Sequence, residues 1–378
     1  MSILNYIIWN GSPEIFSYGS FSLRWYGLFF ALGFLISQQF MYYFYKQEGK
    51  PEKDVDTLTI YMVIATIIGA RLGHVIFYQP EIITENPLSI FLPFEFSPFR
   101  FTGLQGLASH GATIGILFAL WLYSRKKKPG QSFLQVVDRI VIVVALTGAL
   151  IRLGNYFNSE IIGLPTTKPW GVVFVNRFTE TIMDPRVDRE GIVESVVIKR
   201  NDSIPQTDAS RVPLNIYLFF KKGVTGDQPR DFTDVTARNL LSNSYSEYFD
   251  AAGEKTQTRG QVMEDGNVAA RISTFGIARH PAQLYESISC VFLFLFLFWM
   301  WSKKKEKLPA GRLLGIFLIV CFGLRFLFEF VKEVQEPFEE GMVLNMGQIL
   351  SIPCVIAGIV ILALSYRKQN TDINELKK

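Results

Sequence analysis

This chain is poor in the residues that build metal centres and covalent cross-links. Of 378 residues only three are cysteine and three are histidine. Cys290, Cys321 and Cys354 each lie inside an apolar run and none lies in a polar segment, which argues against disulfides and cysteine metal sites. They read as small hydrophobes buried in a membrane. The three histidines belong to three different runs and lack the i, i+4 spacing of a zinc-binding helix. No motif suggests a metal or an organic cofactor. A net charge of only +4 gives no ground for a nucleic-acid partner. The N-terminal stretch MSILNYIIWNGSPEIF has neither a basic leader nor an apolar core ending in a small-residue cleavage site. The first apolar run is therefore expected to act as an uncleaved insertion signal. No internal repeat is evident, which counts against the inverted-repeat transporters.

Long apolar runs are present instead. With 49% hydrophobic and 14% aromatic residues, the chain falls in the polytopic membrane class. The runs cover about 21–45, 57–79, 104–123, 132–151, 282–301, 312–331 and 346–366, each near the roughly 20 residues that a helix needs to cross a bilayer. Lys46/Lys50/Lys53, Arg125–Lys128, Lys303–Lys307 and Arg367/Lys368 follow runs one, three, five and seven. Basic residues concentrate in cytoplasmic loops, so those ends are expected inside, with the N-terminus outside and the C-terminus inside. The expected fold class is an all-α polytopic membrane protein of seven transmembrane helices with a small extracytoplasmic α+β or mostly β head. Residues 1–164 would hold helices one to four and an outer loop at 80–103. The head would be an insertion at 165–278, helices five to seven would fill 279–368, and 369–378 would be a cytoplasmic tail.

Outside the runs, residues 1–20 suit an interfacial segment on the outer surface, and Pro80, Pro87, Pro93 and Pro98 among aromatics suit an ordered outer loop. The stretch from Asn176 to Phe275 carries 13 basic and 15 acidic residues and neither Cys nor Trp. Two pieces of it alternate like strands, Gly191–Lys199 and Leu214–Phe220, the second with Leu214, Ile216, Leu218 and Phe220 on one face. A gating or partner role is the plain expectation for such an insertion.

Ionisable residues are costly inside a bilayer and are functional candidates by default. Run four leaves the membrane at Arg152-Leu-Gly-Asn155-Tyr-Phe-Asn158-Ser-Glu160. A guanidinium fork suits a phosphate, and Asn or Glu side chains can orient it or bind hydroxyls; a snorkelling arginine is the plainer alternative. In run six, Arg325 and Glu329 are four apart and are expected to share a helical face and pair. His110 sits in Gly103-Leu-Gln-Gly-Leu-Ala-Ser-His110-Gly-Ala-Thr-Ile-Gly115, where small residues allow close approach. Further clusters are Arg24-Trp-Tyr26-Gly, Gly69-Ala-Arg71-Leu-Gly73-His74, and Arg279-His280-Pro281-Ala-Gln283-Leu-Tyr285-Glu286. Tyr26 and Tyr285 fit an aromatic belt equally well.

At these residues the chain resembles the prolipoprotein diacylglyceryl transferases, bacterial enzymes that begin lipoprotein maturation. The resemblance runs from Arg24 to Glu329 and omits most of 176–275. Its most specific part is Arg152 to Glu160, supported by Arg279 to Glu286, Arg24 to Gly27, and the Arg325/Glu329 pair. Three positions depart from the family pattern. His-Gly-Gly reads His110-Gly111-Ala112, Asn-Gly-Glu reads Asn158-Ser159-Glu160, and Arg followed by Pro-Asp reads Lys332-Glu333-Val334.

The resemblance implies transfer of a diacylglyceryl group from phosphatidylglycerol to the lipobox cysteine at a prolipoprotein signal peptide, within the bilayer of the bacterial inner membrane and at its outer face. It implies His110, Arg152, Arg325, Tyr26 and Glu329 as catalytic residues. Substrate would be bound by Arg152, Asn155, Asn158, Glu160, Arg71, Tyr285 and His280. His110 is a natural base for a thiol of pKa about 8.5, unless an arginine's field activates the thiol. The competing class is a lipid or solute transporter, which predicts charges spread to both faces. The inner halves of these runs are almost uncharged. A receptor or scaffold would explain the insertion but not the buried Arg and His set.

Overall fold

The structure, a computed structural model, describes residues 6–18, 21–85, 87–90, 94–96, 99–101, 108–204, 208, 210–224, 227–262, 268–334, 339 and 341–376. The chain forms two compact units. One comprises Met1–Leu32, Gly148–Ser289 and Leu324–Leu350; the other comprises Gly33–Thr147, Cys290–Gly323 and Ser351–Lys378. The principal helices are α1 (Trp25–Gln47), α2 (Lys53–Tyr78), α3 (Ser109–Ser124), α4 (Phe133–Phe157), α5 (Asn176–Ile182), α6 (Ala282–Lys304), α7 (Arg312–Phe328) and α8 (Met346–Leu376).

Six stretches among the described residues are helical, long and apolar enough to cross a membrane: Trp25–Gln47, Lys53–Tyr78, Phe133–Phe157, Ala282–Lys307, Arg312–Val331 and Met346–Arg367. The seventh expected run, 104–123, appears as α3 with 16 residues. At 1.5 Å per residue that is about 24 Å, short of a hydrocarbon core of roughly 30 Å; residues 102–107 lie outside the described residues.

The all-α class is overturned by a seven-stranded sheet in the first unit. Its strands are β1 (Ile7–Trp9), β2 (Val172–Phe174), β3 (Val193–Arg200), β4 (Arg211–Phe220), β5 (Phe249–Asp250), β6 (Gln257–Val262) and β7 (Val268–Arg279). The order is β1-β2-β7-β4-β3, with β5 and β6 also paired to β7. Only β1 and β2 run parallel. Leu214, Ile216, Leu218 and Phe220 of β4 are all buried, as period-2 alternation requires of one covered face. Their core includes Phe174, Phe178, Phe249 and Ile272. Within the stretch 1–20, expected as an interfacial segment, the described residues supply β1 and the strand Glu14–Tyr18, which pairs with Phe21–Arg24. The Trp9 ring lies 4.5 Å from Tyr156 and 5.3 Å from Phe157, so the first strand braces the end of α4.

The second unit is helical. Gly69 and Gly73 of α2 face Gly111 of α3 so closely that a Cβ on Gly69 would lie 2.5 Å from the Gly111 carbonyl oxygen. Backbone contact of that kind is what small residues permit between membrane helices. Glu48, wholly buried, accepts from Lys50 Nζ at 2.6 Å, Arg139 Nε at 2.9 Å and Trp301 Nε1 at 2.7 Å. Asp138 accepts from the backbone amides of Gly311 and Leu314, both at 2.8 Å, and so satisfies the start of α7 from α4.

Candidate active site

The last turn of α4 delivers Arg152 and Asn155, and the chain then leaves the helix through Asn158, Ser159 and Glu160. Asn155 Nδ2 donates to Glu160 Oε2 and Asn158 Nδ2 donates to Glu160 Oε1, both at 3.2 Å. Arg152 donates to Asn155 Oδ1 at 3.4 Å, and its Nε lies 2.6 Å from Glu286 Oε2. The reversal is sharp: Ser159 and Ile161 both have positive φ, 51° and 55°. That region is disfavoured for residues with a side chain, above all for β-branched ones. Ser159 occupies the position where the resemblance has glycine, and the backbone explains the glycine. Gln283 Nε2 donates to the Glu160 carbonyl at 2.5 Å and fixes the turn from α6.

A pocket of about 200 Å³ opens beside this loop. Arg152, Ile161, Arg325, Glu329, Lys332 and Met346 are among its lining residues. Glu329 pairs with Arg325 four residues back, as its spacing led us to expect, with 3.8 Å between Arg325 Nε and Glu329 Oε1. Helix α7 ends at Phe328, and Glu329–Val331 form a 3-10 turn. The closer partners of Glu329 are Lys332 Nζ at 2.9 Å and Asn345 Nδ2 at 3.1 Å. Gly347 makes room: a Cβ there would lie 2.6 Å from the Glu329 carboxyl carbon. Lys332 also sits 2.5 Å from Glu286 Oε1, so a buried ammonium links Glu286 to Glu329. The Arg325 side chain stays 42% exposed and its Nε makes no hydrogen bond. One guanidinium on the pocket wall is thus only loosely held.

Tyr26 packs against the helix that carries Arg152: a Cβ on Gly154 would touch the Tyr26 Cα at 3.0 Å. The Tyr285 hydroxyl accepts from Trp170 Nε1 at 2.8 Å and lies 3.0 Å from His280 Nδ1. Burial, with Lys168 adding to it, holds the His280 imidazole below its ordinary pKa, which favours the neutral ring.

The first unit therefore brings Arg152, Asn155, Asn158, Glu160, Arg325 and Glu329 together around the loop and pocket. His110 and Arg71 belong to the second unit. There, His110 is exposed, with the Phe77 ring 4.9 Å away at a near-perpendicular angle. Arg71 is buried and donates from Nε to the Ile90 carbonyl at 2.8 Å. Among the described residues no group of three or more His, Cys, Asp or Glu is placed to hold a metal. Sequence reasoning passed over Glu286, Lys332 and Gln283 as site residues. Glu286 and Gln283 stood inside a quoted motif, and Lys332 stood three residues beyond Glu329, a spacing that signals contact on a helix end.

The family model described as prolipoprotein diacylglyceryl transferase matches residues 13–364. The phosphatidylglycerol–prolipoprotein diacylglyceryl transferase of Tolumonas auensis is 32% identical over 96% of this chain and 99% of its own length. The proteins of that name from Chloroherpeton thalassium and Bacteroides fragilis are 33% and 32% identical over 98% of this chain and 99% of theirs. This chain belongs to the prolipoprotein diacylglyceryl transferase family.

Proposed function

We infer that this protein transfers the diacylglyceryl group of phosphatidylglycerol to prolipoproteins. It is a bacterial membrane enzyme, a transferase whose substrates are a bilayer lipid and a membrane-delivered protein precursor. The observation that carries the reading is the sharing of one pocket by Arg152 and Arg325 in a chain of this family. In the reaction we propose, the thiolate of the precursor's lipobox cysteine attacks the glycerol carbon that bears the phosphate. A C–S bond forms, the C–O bond breaks, and glycerol phosphate leaves with the electron pair.

Charge grows on the phosphate as the C–O bond breaks. Arg152 and the loosely held Arg325 are suited to receive it, because donors placed where charge develops lower the barrier most in a site shielded from water. Glu286 and Glu329 hold the two cations at the wall without saturating Arg325. Asn155, Asn158 and Glu160 present acceptors and donors suited to a glycerol headgroup. Tyr26, Tyr285 and His280 fit roles as orienting contacts, and Arg71 as a further substrate contact. His110 is the proposed base for the thiol, with the field of Arg152 as the alternative source of thiolate. Location in the inner membrane with the site at the outer leaflet is supported by the basic clusters at the opposite ends of the helices.

The direct test incubates the purified protein with headgroup-labelled phosphatidylglycerol and a lipobox peptide. Release of labelled glycerol phosphate together with a thioether-linked lipid on the peptide is expected. Release without peptide modification would assign a hydrolase instead.

A further inference from the structure

The inserted head reaches the loop that carries Glu160. Ser159 is wholly buried and held in left-handed backbone, φ 51°. Its hydroxyl donates to Asn176 Oδ1 at 2.5 Å, and Asn176, the first residue of α5, donates in turn to the carbonyls of Phe157 at 2.9 Å and Gly11 at 3.2 Å. From 89 residues further along the chain, the Tyr248 hydroxyl donates to the Ser159 carbonyl at 3.0 Å. Tyr248 is buried beside β5 and cannot drift, because its own carbonyl accepts from the Ile277 amide of β7 at 2.8 Å. Burial pushes its phenol up to about 12, so the hydroxyl keeps its proton at neutral pH.

Left-handed backbone at a non-glycine residue is strained and persists only where surrounding contacts enforce it. Three hydrogen bonds converge on Ser159 and Glu160 from Asn176, Tyr248 and Gln283, and two of those residues are in the insertion. Each would be wasted on a loop that needed no fixed shape. The Glu160 carboxylate, one residue on, depends on that shape to meet Asn155 and Asn158.

We propose that Tyr248 and Asn176 are positioning residues: the head clamps Ser159 in its left-handed conformation and thereby aims Glu160 at the phosphatidylglycerol headgroup. This rests on the function proposed above. The insertion is then part of the substrate site's scaffold rather than an independent module on the surface.

The test uses the full-length protein with Tyr248→Phe, which removes one hydroxyl and little packing. Hydrogen exchange at the amides of residues 159–163 should speed up by about tenfold, the value of one hydrogen bond. The KM for phosphatidylglycerol should rise by about the same factor while kcat holds and the melting temperature falls by no more than a few degrees. In a Glu160→Gln background, Tyr248→Phe should cause no further rise. An unchanged KM and unchanged exchange would overturn the proposal, and so would a fall in melting temperature and kcat with KM unaltered. If wild type transferred no lipid, the assigned reaction would fall, and the exchange measurement alone would decide the clamp.

Discussion

Two clusters of charge, one in each unit, look alike in composition and differ in how completely their members are paired. In the second unit, Glu48, Lys50 and Arg139 are at most 6% exposed in their side chains, and Glu48 receives hydrogen bonds from both cations and from Trp301. Such a network holds its members still. In the first unit, Glu286, Glu329 and Lys332 are buried to a similar degree, yet Arg152 is 23% and Arg325 42% exposed, and among the described residues Arg325 stands 3.8 Å from its nearest carboxylate. Buried groups that a fold uses only for stability are normally saturated. The incomplete pairing around the pocket is therefore the better marker of a site that receives an anion.

Each half of that contrast can be attacked separately. The largest loss of stability is expected in the second unit. Glu48→Gln removes the charge that neutralises two buried cations and should destabilise by about 3–5 kcal/mol. Thermal unfolding in detergent should show it, with turnover per folded molecule unchanged. His110→Gln should slow transfer by about 100-fold if the imidazole takes the thiol proton. That loss should shrink as pH rises toward the thiol's own pKa, and a rate independent of the substitution would move activation to an arginine. Arg325→Lys keeps the charge but loses the planar fork, and initial rates should fall by about tenfold with stability unaltered. The smallest effect is Ser159→Gly alone. Relief of left-handed backbone and loss of the hydroxyl's hydrogen bond nearly cancel, so unfolding free energy should stay within about 1 kcal/mol of wild type.

How much of this could be read beforehand depended on the range of the interaction. Apolar runs are local signals, and the run at 282–301 became α6 at Ala282–Lys304. Alternation is equally local, and Leu214 to Phe220 appeared as a strand with the expected buried face. The parallel pairing of Ile7–Trp9 with Val172–Phe174 joins segments more than 160 residues apart and leaves no trace in either stretch alone. That pairing helps to make the first unit a sheet, where counting apolar runs suggested an all-helical class. The site shows the same division. Arg152, Asn155 and Glu160 were legible because they cluster within nine residues, and Arg325 and Glu329 because of their spacing. Glu286 was visible only as a motif residue, since its meeting with Arg152 depends on the packing of α6. Lys332 was visible only as a departure from an expected arginine. The closer contacts of Glu329, with Lys332 and Asn345, depend on how the chain folds back beyond α7 and could not be read from spacing.

The most direct measurement is the initial rate of thioether formation by purified Arg152→Ala, taken beside its melting curve. A loss of about 1,000-fold or more is predicted, the scale expected for removing a donor aimed at developing charge, with melting within a few degrees of wild type. A folded Arg152→Ala protein that forms thioether within tenfold of the wild-type rate would contradict the account.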